Sequence, residues 1–519
     1  MSHALLTPFF AQADAQPQRI ALVIDGQRLS YATLRDRSIG FAKHLHAAGV
    51  APGDRVALLL DNSEALVIGL LAVQAAGAVA MALHPLTRAE KLAGILQRTD
   101  AKALLTHQAF APAWRDALAR SPACFGWVEG LGHAEHNLHT WPTADELEKA
   151  VADRTMAIAM TSAEGEDALA FISHTSGTSG VPKGVMLSQR NLRWACDVVA
   201  DYLGLHAEDR IGCALPLSFN YGLTHLFMAL ARGATLVLDR GFMFPAAVID
   251  GWKKESVTMA PLVPTSLGML LRHANFNAQN LPALRSVSNA AAALPAVFQE
   301  ALAQRFPDMR LFSMYGQTEC TRISFLPPEE LAAHPRSVGR GLAGQTHWLE
   351  DEHGQRLSLG SSGQLLVCGP HVMLGYWGDA EETVRKISID PLTNARTLRT
   401  GDLFRSELSG HLHFVARSDD IIKTRGEKVS PREVEDALLR LAGVRECAVI
   451  GIDDTLTGQA VHAFVVADPS AGLSERQVVR HCLSFLESYM APKSVSFVDA
   501  LPKTDTGKVL TRSLRAALP

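Results

Sequence analysis

The sequence is poor in cysteine, in aromatic residues and in net charge, and each shortage excludes a class of protein. No two of its seven cysteines have Cys-x-x-Cys spacing. This argues against a disulfide scaffold or a zinc ribbon and is typical of a protein in a reducing cytosol. A net charge of −4 gives no electrostatic reason to expect a nucleic acid or an anionic membrane as a partner. Aromatic residues make up 6% of the chain, yet hydrophobic residues make up 47% and charged residues 20%. This composition is that of a globular protein and excludes a disordered or fibrous one, and we predict a cytoplasmic location.

One long apolar run could be mistaken for a membrane span. Residues 65–83 contain only one polar side chain, that of Gln74, and nineteen residues are long enough to cross a bilayer. However, Gly77 can end a buried helix, and residues 78–83 are typical of a buried strand closed by His84-Pro85. We therefore predict a soluble protein without a membrane span.

Strand-like and helix-like segments alternate along most of the chain, which contains no fixed-period repeat. Residues 31–48 have a helical pattern, with Ser30 as a plausible N-cap and Gly49 as the stop. The predicted strands are residues 55–60, 103–106, 169–173, 211–215 and 235–238. This alternation indicates an α/β fold of layered helices and largely parallel sheets. A length of 519 residues is sufficient for two to four domains.

The composition changes near residue 400, and charged residues become dense from Arg417 to Arg440. Within this stretch, Ser430-Pro-Arg-Glu433 has the pattern of a capping box, with proline at the first helical position. An apolar stripe follows at helical spacing, which Gly443 can terminate, and residues 447–452 and 461–466 are predicted strands. We predict an N-terminal domain of residues 1–418 and a small α+β domain of residues 419–519.

The strongest local signal is the loop His174-Thr-Ser-Gly-Thr-Ser-Gly-Val-Pro-Lys-Gly184, which follows a predicted buried strand. Glycines allow backbone N–H groups to turn towards an anion, hydroxyls add donors and Lys183 adds a cation. The loop is not a Walker A motif, because Pro182 and Gly184 occupy positions where that motif requires Gly and Ser or Thr. A flexible linker is the alternative, but the Pro-Lys-Gly ending and the flanking strand disfavour it.

This loop resembles the phosphate loop of the adenylate-forming superfamily of acyl-CoA synthetases, peptide-synthetase adenylation domains and firefly-type luciferases. Other segments resemble the motifs of that family in the same order. They are Tyr315-Gly-Gln-Thr-Glu319, Gly363-Gln-Leu-Leu-Val-Cys-Gly369 with Gly375-Tyr-Trp377, Thr400-Gly-Asp-Leu-Phe-Arg405, Arg417 to Glu435, and Leu501-Pro-Lys-Thr-Asp-Thr-Gly-Lys508. An ordered set of this kind is very unlikely to arise by chance. The resemblance implies an AMP-forming acid–thiol ligase that uses ATP and Mg²⁺.

The resemblance also assigns residues to ATP. It implies that Lys183 and the 175–184 loop hold the β- and γ-phosphates, that Thr318 contacts the α-phosphate, and that Glu319 is both catalytic and a Mg²⁺ ligand. The phosphate-binding residues of the loop are Thr175, Ser176, Gly177, Thr178, Ser179 and Gly180.

The nucleoside of ATP is assigned in the same way. The resemblance implies that Tyr315 stacks on adenine beside Gly316, and that Asp402 accepts both ribose hydroxyls with help from Arg417. On the residues alone, Tyr315 is equally a core aromatic at a strand end, and Asp402 a turn residue after Gly401.

The C-terminal motifs imply two half-reactions. In the first, Lys508 neutralises charge while carboxylate and ATP form acyl-adenylate and pyrophosphate. The small domain then rotates about a hinge at Asp419, Gly426 lines a tunnel for a pantetheine thiol, and a thioester and AMP form.

The acid itself is less well defined by the sequence. The resemblance places Asn220, Tyr221, Ala291, Met314 and Arg322 in the acyl pocket. Many amino-acid adenylation domains have Asp where this chain has Asn220, so a standard α-amino acid is disfavoured. Asn220 could bond a polar group on the acyl chain or only stabilise a turn. Arg322 could bind a polar or acidic group in the acyl pocket or be an interdomain or surface arginine. His174 and Gln364 also depart from the family pattern, at positions we expect to lie outside the core chemistry.

Several functions remain open at this point. The thiol acceptor is CoA or the phosphopantetheine of an acyl carrier protein, which would act in trans because no carrier segment follows Pro519. A luciferase-like oxygenase and a non-catalytic nucleotide-binding relative are alternatives, although Lys183, Glu319, Asp402 and Lys508 argue against the latter. The sequence does not define the oligomeric state.

Overall fold

The structure is a computed structural model, and it describes most of the chain. The described residues are 5–134, 137–152, 165, 167–175, 183–292, 294–389, 395–418, 420–424, 427–454, 457–503 and 509–516.

The first part of the chain alternates helices and strands, as expected. In order, its elements are α1 (Thr7–Ala15), β1 (Ile20–Ile24), β2 (Gln27–Ser30), α2 (Tyr31–Ala47), β3 (Arg55–Leu59), α3 (Glu64–Ala75), β4 (Val79–Leu83), α4 (Ala89–Arg98), β5 (Ala101–His107), α5 (Ala111–Ala119), β6 (Phe125–Glu129), β7 (Leu138–Thr140) and α6 (Ala144–Ala152). The Ser30 hydroxyl accepts a hydrogen bond from the Thr33 N–H, which confirms the predicted cap of α2.

The apolar run of residues 65–83 forms α3 and β4, as predicted. Every residue from Ala65 to Ala75 is buried, and every residue of β4 is buried as well. The turn between them needs Gly77, whose φ of +71° lies in the left-handed region that favours glycine. Among the described residues, no helix combines the length and apolar character needed to cross a membrane.

The central part of the chain supplies most of the remaining strands. Its elements are β8 (Leu169–Thr175), β9 (Lys183–Ser188), α7 (Gln189–Leu203), β10 (Arg210–Cys213), α8 (Asn220–Arg232), β11 (Thr235–Leu238), α9 (Pro245–Lys254), β12 (Met259–Leu262), α10 (Pro264–Leu271), β13 (Ser286–Asn289), α11 (Ala296–Arg305), β14 (Arg310–Tyr315), β15 (Ser324–Leu326) and β16 (Arg340–Gly341).

These strands form two large sheets with helices packed against them. One sheet has the order β16-β15-β14-β13-β12-β10-β11-β1-β2, and the other has the order β19-β9-β8-β4-β3-β5-β6-β7, in which β19 is Gly375–Tyr376. Strands β10 to β14 and β3 to β7 pair in parallel. The α/β fold class is therefore confirmed, and the parallel prediction holds for the inner strands of both sheets.

A third sheet departs from that prediction because it is antiparallel. It contains β17 (Thr346–Glu350), β18 (Ser362–Cys368), β20 (Ile387–Ile389), β21 (Arg396–Ser406) and β22 (Leu412–Arg417), while α12 (Ala380–Lys386) precedes β20. The β21–β22 hairpin carries Asp402 and Arg417 directly opposite each other.

The C-terminal part of the chain forms a small α+β unit. Its elements are β23 (Ile422–Thr424), β24 (Glu427–Val429), α13 (Pro431–Leu438), β25 (Val444–Asp454), β26 (Gly458–Ala467), α14 (Glu475–Leu483), β27 (Ser494–Phe497) and α15 (Thr511–Ala516). Its five strands form one sheet, with hydrophobic clusters of its own around Val434 and Phe464. The boundary that we place at Asp419 remains a prediction, since Asp419 lies outside the described residues.

The start and end of α13 differ in detail from the sequence prediction. Ser430 is the N-cap, but its hydroxyl makes no cap hydrogen bond; it donates instead to the Val415 carbonyl at 2.6 Å. The predicted capping box is therefore wrong, because a contact with β22 takes the hydroxyl. The helix also ends at Leu438, before Gly443.

Candidate active site

A cavity of about 790 Å³ lies between the large sheets and the C-terminal unit. Its walls include residues at or just after the carboxyl ends of β4, β8, β13 and β14, which is where ligands bind in open α/β sheets. The C-terminal unit contributes Arg432 and Lys503, among others. The predicted residues that line this cavity are Thr175, Lys183, Ala291, Met314, Tyr315, Gly316, Thr318, Glu319, Asp402 and Arg417.

The remaining predicted residues divide into two groups. Asn220, Tyr221 and Arg322 are described but do not form part of the cavity wall. The others lie outside the described residues, and they are Ser176, Gly177, Thr178, Ser179, Gly180, Asp419, Gly426 and Lys508.

The two ends of the predicted phosphate loop meet at the cavity. Thr175 ends β8 and Lys183 begins β9, and the two residues pair across an antiparallel register. The Lys183 ammonium donates to Glu382 Oε1 at 2.7 Å and lies 5.4 Å from the centre of the Tyr376 ring. Glu382 is 8% exposed, so Lys183 is held by a buried carboxylate at the mouth of the loop.

Glu319 lies close to this cation. The Tyr376 hydroxyl donates to Glu319 Oε1 at 2.8 Å. Burial and the negative charge of Glu319 raise the pKa of Tyr376, so the phenol keeps its proton and acts as the donor.

The loop that presents Thr318 and Glu319 is tightly closed. A Cβ atom at Gly316 would lie 2.3 Å from the Thr321 carbonyl oxygen, so any larger residue would collide with the backbone. Gly316 therefore fixes the path of the chain that carries both polar side chains into the cavity.

Asp402 is the centre of a second polar group on the cavity wall. It is 5% exposed, and Asp402 Oδ2 accepts hydrogen bonds from the Tyr315 hydroxyl at 2.5 Å and Gln317 Nε2 at 3.0 Å. Asp402 Oδ1 accepts from Arg417 Nε at 3.2 Å. Burial and the neighbouring carboxylate raise the pKa of Tyr315 well above its ordinary value, so this phenol also donates. Three protein donors thus converge on one carboxylate.

His174 also lines the cavity, although the sequence suggested that it lies outside the core chemistry. Burial, together with the positive charges of Arg98 and Lys91, lowers its pKa to about 4. Its ring is therefore neutral near pH 7, and Lys91, which also lines the cavity, is an additional cation on this wall.

The part of the wall expected to face the acid is largely apolar. Ala291 has a φ of +71°, a conformation that glycine adopts more readily than alanine. The Phe219 ring stacks on His84, with ring centres 5.6 Å apart. Met314 and Val338 complete this part of the wall.

The three predicted acyl-pocket residues behind this wall have structural contacts. Asn220 Oδ1 accepts from the Ser173 hydroxyl at 2.7 Å, and its Nδ2 donates to the Thr318 carbonyl at 3.3 Å. The Tyr221 hydroxyl donates to the Ser288 carbonyl at 2.9 Å. Arg322 is 3% exposed, and its guanidinium lies 5.1 Å from the centre of the Tyr221 ring. Asn220 therefore couples β8 to the loop that carries Thr318.

Comparison with known proteins decides the family. The AMP-binding enzyme family matches residues 9–377, and the AMP-binding enzyme C-terminal domain matches residues 433–508. The chain belongs to the AMP-binding enzyme family. It is an AMP-forming acid–thiol ligase of the acyl-CoA synthetase type that binds ATP and AMP.

Individual relatives match over nearly the whole chain. It is 32% identical to 3-[(3aS,4S,7aS)-7a-methyl-1,5-dioxo-octahydro-1H-inden-4-yl]propanoyl:CoA ligase of Mycobacterium tuberculosis, over 96% of each chain. It is 30% identical to a linear gramicidin synthase of Brevibacillus parabrevis over 98% of its own length, but it spans only 6% of that much longer protein. The ATP-bound structure of MatB from Rhodopseudomonas palustris superposes with a TM-score of 0.88 at 27% identity and covers 99% of both chains.

Several wall residues of this AMP-binding enzyme escaped the sequence reasoning. Gln317 and Tyr376 stand inside segments that resemble family motifs, so their positions were visible but their roles were not. His84 directly follows β4, and a polar residue after a buried strand is a usable signal in an α/β protein. Glu382 gave no such signal, because its contact with Lys183 joins residues 199 positions apart.

Proposed function

We propose that the protein activates a carboxylic acid with ATP and Mg²⁺ and then transfers the acyl group to the thiol of CoA. In the first half-reaction, a carboxylate oxygen attacks the α-phosphorus, the bond to the β-phosphate oxygen breaks, and pyrophosphate leaves. In the second, the thiol sulfur attacks the acyl carbon, the bond to the AMP oxygen breaks, and the thiol proton passes to solvent. The observation that supports this proposal is that three separate segments, carrying Lys183, Glu319 and Asp402, line one cavity.

In the first half-reaction, the chain must bring two anions together. Lys183, Thr175 and Thr318 would offer a cation and two hydroxyl donors to the phosphates, which offsets the repulsion between ATP and the carboxylate. Lys91 adds a further positive charge on the same wall. Glu382 holds Lys183 by the 2.7 Å ion pair, so we expect phosphate and Glu382 to compete for this ammonium.

The residues around Glu319 fit a magnesium ion. Mg²⁺ prefers oxygen ligands and is usually bound by one or two carboxylates together with substrate phosphates. The Tyr376 hydroxyl occupies only one site on Glu319 Oε1, and a carboxylate offers about four lone-pair sites. When bound, the ion would neutralise phosphate charge; Glu319 would hold it, and Tyr376 would orient Glu319.

The nucleoside end would be bound by the polar group around Asp402. Its three protein donors occupy three of the roughly four lone-pair sites of the carboxylate. One ribose hydroxyl can therefore bind without displacing a donor, whereas two would require Arg417 or Gln317 to move. Tyr315 and Gly316 would form the edge of the adenine site.

The two half-reactions also involve residues outside the described part of the chain. We propose that Lys508 contacts the acid and ribose during adenylation, that Asp419 is the hinge, and that Gly426 then lines the thiol tunnel. The residues on either side of the Lys508 loop support this proposal, because Lys503 and Val509 pair with each other and Lys503 and Leu510 line the cavity.

The acid is proposed as a small or medium carboxylic acid with an apolar body. Phe219, Ala291, Met314 and Val338 supply the apolar wall, with the hydroxyl of Ser218 and the ring of His84 as polar groups. Asn220 would support this wall from behind, since its amide donates to the carbonyl of the wall residue Thr318. Tyr221 and Arg322 contact each other and would support the wall next to Asn220. The acceptor is proposed as CoA because the M. tuberculosis relative, named a CoA ligase, matches over 96% of both chains.

The test has two stages. Pyrophosphate release is first measured over aliphatic, aryl, hydroxy and amino acids, and thioester formation is then compared with CoA and with a phosphopantetheinylated carrier protein. We expect an apolar carboxylic acid and CoA to give the highest kcat/KM. A higher kcat/KM with the carrier protein than with CoA would identify the carrier protein as the acceptor. Absence of pyrophosphate release with every acid would overturn the proposal.

The lysine assignment has a matched control within the same loop. Lys508→Ala is expected to abolish acid-dependent ATP–pyrophosphate exchange and to leave thioester formation from supplied acyl-adenylate intact. Lys503→Ala removes another cavity lysine, one that is paired with Glu446 at 2.7 Å, and is expected to retain exchange. Survival of exchange in Lys508→Ala would contradict the assignment.

A further inference from the structure

Outside the ATP cavity, three histidines and two glutamates form a compact group on the large domain. The β21–β22 hairpin contributes Glu407, His411 and His413, and the segment that follows β15 contributes Glu330 and His334. We propose that His334, Glu407 and His411 bind one divalent transition-metal ion of the zinc class. This site does not depend on the proposed acid or acceptor.

The spacing of the three ligand atoms matches a single ion. His334 Nδ1 lies 3.1 Å from Glu407 Oε2, and His411 Nδ1 lies 3.9 Å from the same oxygen. One ligand atom from each residue falls within 4.8 Å of the other two. A tetrahedral ion with bonds of about 2.0–2.1 Å requires ligand atoms roughly 3.3 Å apart. The His334 and His411 rings are stacked, with ring centres 3.7 Å apart, so at least one ring must turn for both Nδ1 atoms to face one ion.

The groups around the ligands provide independent support. A metal-binding histidine usually donates its second ring N–H to a carboxylate, and a metal-binding carboxylate is itself hydrogen-bonded. Here His411 Nε2 donates to Glu330 Oε2 at 2.6 Å, and His413 Nε2 donates to Glu407 Oε1 at 2.6 Å. The Ser409 hydroxyl contacts both candidate ligand atoms, at 2.8 Å from His411 Nδ1 and 3.0 Å from Glu407 Oε2, so an ion at this position would have to displace it.

The donor set indicates which ions fit. Two imidazoles and one carboxylate are a known ligand set for Zn²⁺, and three protein ligands leave a fourth position for water. Hard ions such as Mg²⁺ and Ca²⁺ prefer oxygen ligands alone, so they should bind weakly. His411 is 3% exposed, whereas His334 has 23% of its side chain exposed. The site is thus anchored in the protein and open on one side.

Metal binding here would affect the wall of the ATP cavity. The same two segments are joined by backbone hydrogen bonds from Val338 N–H to Leu412 O and from Leu412 N–H to Gly339 O. Val338 and Phe414, the second residue after Leu412, both line the cavity. An ion held by His334 and His411 would strengthen this connection and should raise thermal stability.

The experiment uses the full-length protein without a polyhistidine tag, treated with chelator and then titrated with ZnCl₂. We expect one equivalent to bind, a higher Tm, and, with Co²⁺, the visible absorption of a four-coordinate site. His334→Ala should weaken the Kd for Zn²⁺ at least about 100-fold, and Glu330→Gln, which spares all three ligands, should weaken it roughly 10–100-fold.

The matched control is His353→Ala, which removes an exposed histidine on a turn away from the group and should leave both stoichiometry and Kd unchanged. If His334→Ala does not fold, His334→Gln serves in its place, since it keeps a side chain of similar size. Absence of stoichiometric Zn²⁺ binding, or binding undiminished by the His334 substitution, would overturn the proposal.

Discussion

Asp402 offers the sharpest test of the nucleotide site. The carboxylate is buried and already accepts hydrogen bonds from Tyr315, Gln317 and Arg417. One lone-pair site remains for a ribose hydroxyl. A hydrogen bond to a charged acceptor contributes about 1.5–3 kcal/mol, which corresponds to a roughly 10–150-fold change in affinity. In Asp402→Asn, the charge is lost and the amide NH₂ faces other donors, so we expect ATP to bind about 10–100-fold more weakly.

The assay separates a ribose contact from general damage to the site. The Kd values of ATP, 2′-deoxyATP and 3′-deoxyATP are measured by calorimetry with the full-length protein, which requires no knowledge of the acid. The wild-type protein should prefer ATP to at least one deoxy analogue by about tenfold or more, and Asp402→Asn should lose that preference.

Tyr315→Phe is the matched control, because it removes one protein donor at 2.5 Å and leaves the carboxylate in place. This variant should keep the preference for ATP over the deoxy analogue, whatever its overall affinity. If Asp402→Asn retains the wild-type preference, Asp402 does not contact the ribose and the assignment fails.

Two further predictions concern a buried ion pair and a buried histidine. In Glu382→Gln, the phosphates no longer compete with a carboxylate for Lys183, so the rise in Tm on adding ATP should exceed that of the wild type. Glu381→Gln, at an exposed neighbouring position, should show the same rise as the wild type. A smaller rise in Glu382→Gln than in the wild type would contradict the competition. Burial lowers the pKa of His371 to about 3, whereas the pKa of a histidine in the unfolded chain is about 6.5. Below about pH 6.5 the unfolded chain therefore binds a proton that the folded chain does not, and the free energy of unfolding falls as the pH falls. His371→Leu should gain roughly 2 kcal/mol relative to the wild type between pH 7 and pH 5 in urea unfolding, and a pH dependence equal to that of the wild type would refute the burial argument.

Local elements could be predicted from the sequence because their causes are local. The Ser30 cap and the Gly77 turn depend on neighbouring residues, and both occur in the structure. Segments that resemble a family could likewise be placed on the cavity, since each segment contains its own strand and loop. The prediction of parallel strands failed for the third sheet, because pairing direction depends on how distant segments meet.

Contacts between distant segments explain the other differences. The Ser430 hydroxyl was expected to cap α13, but the Val415 carbonyl competes for the same donor at 2.6 Å. Asn220 stays a predicted acyl-pocket residue, although Ser173 and Thr318 compete for its amide group. Neither competitor is recognisable from the neighbouring sequence, because the fold alone brings it within hydrogen-bond distance.

The two polar groups of the cavity share one electrostatic design. Two of the cations that we assign to ATP are each paired with a buried carboxylate, Lys183 with Glu382 at 2.7 Å and Arg417 with Asp402 at 3.2 Å. A buried cation without a partner would be costly, and a carboxylate offsets that cost while fixing the position of the cation. ATP binding then exchanges partners rather than neutralising isolated charges, so affinity depends on how well phosphate replaces Glu382. The near-neutral net charge of the chain is consistent with this, since the positive charge that ATP requires is local and already balanced.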